Sequence, residues 1–139
     1  MVHALKEAWR VLVPHGVLVD VRPLSLNTPL EIIYQGSSEI AGIVDMSPGL
    51  AYDRDVDRAI EVVTTDRLYT ETWSEYFSYT YYWKTIKGMQ EDIEENWQGE
   101  VIITNEVWQQ ARALIKKLGP KAKLRLAAQM KLALYLKQG

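Results

Sequence analysis

The stretch Ala4-Leu5-Lys6-Glu7-Ala8-Trp9-Arg10-Val11-Leu12-Val13-Pro14-His15-Gly16-Val17-Leu18-Val19-Asp20 decides the fold. Val2, Leu5, Trp9 and Leu12 recur at helical spacing, and Pro14 and Gly16 end that helix. Val17 to Val21 follows as a short apolar run bounded by turn residues, the pattern of a buried parallel strand. A helix, a tight turn and a strand in that order belong to an α/β architecture.

Working outward, Leu30-Glu31-Ile32-Ile33-Tyr34 and Glu39 through Met46 flank Gln35-Gly36-Ser37-Ser38, which predicts a β-hairpin with glycine at the first central position of its turn. Pro48-Gly49 breaks it. Val56, Ala59, Ile60 and Val63 mark one face of a helix, with Asp53 or Asp55 as its cap. From Tyr69 to Trp83 the odd positions carry Tyr69, Trp73, Phe77, Tyr79, Tyr81 and Trp83, the pattern of a long strand with one aromatic face. Thr85 is placed to cap a helix bearing Ile86, Met89, Ile93 and Trp97. A further helix carries Val107, Trp108, Ala111, Leu114, Ile115 and Leu118 and stops at Gly119-Pro120. The last segment is rich in helix formers, yet every even position from Ala122 to Leu136 is apolar, and alternation that long predicts a strand.

The 139 residues, 47% of them hydrophobic, suffice for one globular domain spanning 1–139. With no cysteine, disulfides, thiolate catalysis and cysteine-ligated metals are excluded. No run reaches the roughly 20 apolar residues of a membrane span, and no leader pattern opens the chain, so a cytoplasmic location is expected. The net charge of −2 hides a division: Glu31 to Glu106 holds 16 acidic against 5 basic residues, and Val107 to Gly139 holds 8 basic and no acidic ones. Neutralisation of that cationic tail by the acidic body outweighs nucleic-acid binding as its explanation.

The opening block, with Arg10-Val11-Leu12 leading into Pro14-His15-Gly16 and an apolar strand, resembles the segment of class I S-adenosylmethionine-dependent methyltransferases in which a helix ends in Arg-Val-Leu before a Pro-Gly-Gly-type turn and the fifth strand. His15 replaces the middle glycine, a departure that histidine tolerates better than a branched residue would. The aromatic strand and the terminal strand then match the family's sixth and seventh strands, the seventh antiparallel, by order of elements alone. The resemblance implies an α/β fold: a partial Rossmann-like methyltransferase sheet with an extra β-hairpin and flanking helices. The family binds its donor on a glycine-rich turn upstream of the fifth strand. Here no two glycines fall two apart, so the chain is expected to be the substrate-side, C-terminal part of such an enzyme, inactive alone, with S-adenosylmethionine bound only in the intact enzyme.

In open sheets of this kind ligands bind beyond the carboxyl ends of parallel strands. That rule nominates Asp20, Arg22, Tyr81, Tyr82 and Trp83 as substrate-lining, with Lys121, Lys123 and Arg125 at the same edge, for a small-molecule acceptor; core packing of the aromatics and solvation of the lysines are the competing explanations. No catalytic residue is nominated. His3 and His15 lack partners at metal-like or triad-like spacing, and the acidic clusters lack a calcium loop's pattern. The Val17–Val21 strand, without the neighbour it has in the family, is an edge for self-association or for a separate N-terminal half. Two other functions compete: a non-enzymatic interaction domain derived from a methyltransferase, and an aromatic-and-basic ligand or nucleic-acid binder.

Overall fold

The computed structural model describes residues 1–139. The elements are α1 (Val2–Val11), β1 (Val17–Pro23), β2 (Thr28–Tyr34), β3 (Ser37–Val44), a 3-10 turn (Ser47–Gly49), α2 (Leu50–Thr65), β4 (Tyr69–Trp83), α3 (Ile86–Asn96), α4 (Asn105–Leu118) and β5 (Lys123–Lys137). The protein is α/β, with four α-helices and a five-stranded antiparallel sheet in which hydrogen-bonded neighbours run β1, β5, β2, β3 and β4 joins at β5. No helix is long and apolar enough to cross a membrane. The chain divides into two compact units: Met1–Leu24, Leu50–Phe77 and Gln129–Gly139, and Ser25–Gly49 with Ser78–Ala128.

In the first unit, β1 pairs antiparallel with β5 from Val17↔Leu136 to Pro23↔Met130. This corrects the expectation of a buried parallel strand. The run Val17-Leu18-Val19 suggests burial on two faces, but β1 alternates: Leu18 packs into the core while Val17, Val19 and Val21 are exposed. The core joins Val63, Tyr69, Ala133 and Tyr135 to Leu5, Trp9, Leu12 and Ile60. Burial of such side chains stabilises by about 1.5–3 kcal/mol each. Arg67 takes the left-handed conformation at φ 58, and the Leu68 N–H donates to the Val63 carbonyl at 3.0 Å, closing the end of α2. Lys137 is buried, yet its ammonium donates to the Leu12 carbonyl at 2.6 Å and lies 4.5 Å from the centre of the Trp9 ring. The cation thereby satisfies the carbonyl end of α1.

In the second unit, β2 and β3 form the hairpin, but both central turn residues are left-handed, Gln35 at φ 45 and Gly36 at φ 80. Glycine therefore occupies the second central position, not the first, because a primed turn with two positive φ values matches the twist of its strands. α2, in the first unit, is capped neither by Asp53 nor by Asp55. The 3-10 turn, whose Ser47 N–H donates to Asp45 at 2.9 Å, carries the chain into the helix at Leu50, so Asp53 falls in its first turn and Asp55 in its interior. Thr85 caps α3, accepting from the Gly88 N–H at 3.0 Å, and Gly119 at φ 104 ends α4. α4 lies so close to β3 that a Cβ on Gly42 would meet Val107 Cγ2 at 2.6 Å. The core is built of Leu30, Ile32, Val44, Met89, Ala111, Leu124 and Leu126.

β5 is a strand as its alternation predicts, but its buried parity is not constant. Ala122, Leu124, Leu126 and Ala128 are buried in the second unit; in the first, Ala133, Tyr135 and Lys137 are, and Leu132, Leu134 and Leu136 are only half-buried.

Candidate functional site

Alternation in β1 sends Leu18, Asp20 and Arg22 to the side that faces α2, where a cavity of about 240 Å³ opens. Its lining includes Leu5 from α1, Leu18, Asp20 and Arg22 from β1, and Val56 and Ile60 from α2. The walls are mainly apolar, and the charged side chains come from β1.

Arg22 is 8% exposed. Its Nε donates to Asp20 Oδ2 at 3.2 Å and its Nη2 to Asp57 Oδ1 at 2.6 Å, while Nη1 is buried without a hydrogen-bond partner. Burial pulls the Arg22 pKa down, but the hydrogen bond that Arg22 donates to Asp57 and the charges of Asp20 and Asp57 outweigh it, and the net shift is upward. The guanidinium is therefore permanently charged and fixed by two carboxylates from different elements. The two N–H donors of Nη1 remain for an acceptor oxygen.

Tyr135 lies on the same side of the sheet, its hydroxyl donating to Glu71 Oε1 at 3.3 Å. Burial, reinforced by the negative charges of Glu71 and Asp20, pushes its pKa up to about 12. The folded value stands above the unfolded one of 10.0, so the stability it contributes is whole below pH 10 and is lost as pH rises towards 12. In denaturant melts, Tyr135→Phe should cost about 1 kcal/mol at pH 8, the value of one hydrogen bond, and should lose less stability than the unmodified protein between pH 10 and 12. Parallel losses in the two proteins would contradict this placement of the hydroxyl.

The five residues nominated from the sequence fall into two groups. Asp20 and Arg22 meet in the first unit. Tyr81, Tyr82 and Trp83 belong to the second unit, where Tyr81 and Trp83 stack at 6.0 Å between ring centres and meet Trp97 edge-on at 4.8 and 6.2 Å. The Trp83 indole donates to Asp92 at 2.8 Å. Tyr81 and Trp83 thus act as packing for α3, and Tyr82 is exposed. Sequence reasoning missed Asp57, Glu71 and Tyr135. Asp57 sits one position from the apolar Val56, but nothing local ties it to a strand 35 residues earlier.

No group of three or more His, Asp or Glu side chains is placed to hold a metal ion. Comparison of the chain with protein-family models, with curated proteins and with solved structures finds no match.

Proposed function

We propose that this chain is the C-terminal, substrate-side portion of an S-adenosylmethionine-dependent methyltransferase, inactive by itself, whose β1 edge pairs with a second copy or with a separate donor-binding half. One observation carries the reading. The helix–turn–strand block places His15, at φ 62, in the left-handed conformation that the family's middle glycine would supply, and β1 is followed, after the β2–β3 hairpin, by α2, β4, two helices and an antiparallel last strand joined to both β1 and β4. The Asp20–Arg22–Asp57 cluster beside its cavity is the part that would meet the methyl acceptor. The exposed valines of β1, bonded on one side only, supply the free edge.

The residues present do not fit the donor. Gly36, Gly99, Gly119 and Gly139, the glycines with left-handed backbone, sit in a hairpin turn, in a loop, after a helix and at the chain end. None forms a strand-to-helix turn that brings backbone N–H groups to a nucleoside. Calorimetric titration of the chain with S-adenosylmethionine should accordingly give no heat of binding at micromolar concentrations. Saturable binding there would overturn the substrate-side assignment.

A further inference from the structure

A cavity of about 570 Å³ lies in the second unit beside the β2–β3 turn. Its lining includes Tyr34, Ser38, Lys84, Lys121, Lys123 and Arg125, and no carboxylate. Three segments converge on it: the hairpin, the residue that follows β4, and the start of β5. The period of two in β5 explains the concentration of charge, since Ala122, Leu124 and Leu126 are buried and the intervening Lys121, Lys123 and Arg125 are left together on the other side.

These four cations are not equivalent. Arg125 is held by Glu31 and Ser38, with Ser38 donating to Glu31 at 2.6 Å. The Ser38 and Arg125 hydrogen bonds keep the Glu31 carboxyl below its ordinary pKa, so the network persists down to acid pH. Lys84, Lys121 and Lys123 form no ion pair, although other lysines of the same unit do, Lys87 with Glu91 at 3.9 Å and Lys117 with Glu39 at 2.9 Å. In a chain of net charge −2, three unpaired ammonium groups around one concave surface repel each other and focus a positive field into it. An anion relieves both effects.

We propose that this groove binds a phosphate-bearing ligand, with Lys84, Lys121 and Lys123 as the charge partners. Compact ammonium charges suit a multiply charged phosphoryl group, which needs no planar fork, whereas a single carboxylate would leave most of the positive charge uncompensated. The cavity exceeds the size of a phosphate, and Ile33, Tyr34 and Pro120 offer apolar surface to the organic part of a phosphoester. This site is separate from the Asp20–Arg22–Asp57 cluster, where the methyltransferase reading places the acceptor.

The test is calorimetric titration with inorganic tripolyphosphate at low salt, alongside a 12-nucleotide single strand. Saturable binding of tripolyphosphate is expected, weakened about tenfold or more in a Lys121→Gln/Lys123→Gln double variant and in Lys84→Glu, unchanged in Arg112→Gln, and falling with added salt. The substituted lysines are exposed, and far-UV circular dichroism verifies that the variants stay folded. If the oligonucleotide binds more tightly and is lost in the same variants, the phosphate belongs to a nucleic-acid backbone, and the site stands with that source. Absence of saturable binding by either probe, or binding that survives the double variant, would overturn the proposal.

Discussion

Leu124→Asp is expected to abolish the cooperative unfolding transition at room temperature. Leu124 is 0% exposed, pairs with Ile32 across β2 and β5, and sits in the core with Leu30 and Leu126. The substitution removes leucine packing, which costs about 2–5 kcal/mol, and forces an unpaired carboxylate either to stay buried or to pull the strand open, at a further cost of several kcal/mol. Domains of this size hold about 5–15 kcal/mol in total. Lys123→Gln, one position away and exposed, should move the midpoint by no more than about 2 °C. Leu132→Asp should fall between them, because the buried side of β5 has changed parity by then and Leu132 is half-buried. Thermal melts followed by far-UV circular dichroism would reject this account of β5 if Leu124→Asp and Leu132→Asp were equally tolerated.

Arg22→Ala should destabilise the protein by about 2–4 kcal/mol, far more than an exposed ion pair is worth. The asymmetry of its partners explains the size. Asp57 is 63% exposed and returns to water, but Asp20 is 18% exposed and is left as a largely buried carboxylate without its cation. Adding Asp20→Asn should recover part of the loss, and the shortfall from additivity measures the coupling of the pair. Arg22→Lys should not substitute fully, since one ammonium cannot reproduce the separate bonds from Nε and Nη2. A denaturant melt showing less than about 0.5 kcal/mol for Arg22→Ala would mean that Asp20 finds water readily and that the cluster is a surface feature.

The elements were legible where their signal is local. The period of two gave β4 the bounds Tyr69 and Trp83 and set β5 as a strand against the propensity of its leucines, alanines and lysines. Thr85 and Gly119 marked helix ends for the same reason. What covers each face of a strand is not local. Leu132, Leu134 and Leu136 continue the apolar alternation of Leu124 and Leu126, so the exchange of buried parity is announced only by Ala133 and Tyr135, and burial of Lys137 by nothing in its charge. The parallel assignment of β1 failed similarly, since an apolar run does not state the direction of its neighbour. Within the site, Asp20 and Arg22 were readable as neighbours on one side of a strand. Asp57, Glu71 and Tyr135 reach that side from α2, β4 and β5, through packing that no spacing encodes.

β4 bonds to β5 along one side, and its other side has no strand. In such a strand about half of the amide and carbonyl groups turn outward and are satisfied by water. Between Tyr69 and Trp83 there is no proline, glycine, lysine or arginine, and Trp73, Tyr76, Tyr79 and Tyr82 are exposed. Glu71 and Glu75 are its only charges, and their mutual repulsion between copies would oppose an in-register approach of two such edges. That repulsion acts over about 10 Å at 0.1 M salt and over about 3 Å at 1 M. The colloidal behaviour of the protein should therefore be tied to ionic strength through two carboxylates: concentrated solutions are expected to stay clear in dilute buffer, and added salt, which screens those charges and strengthens the attraction between rings, is expected to bring the chains together, as light scattering would record.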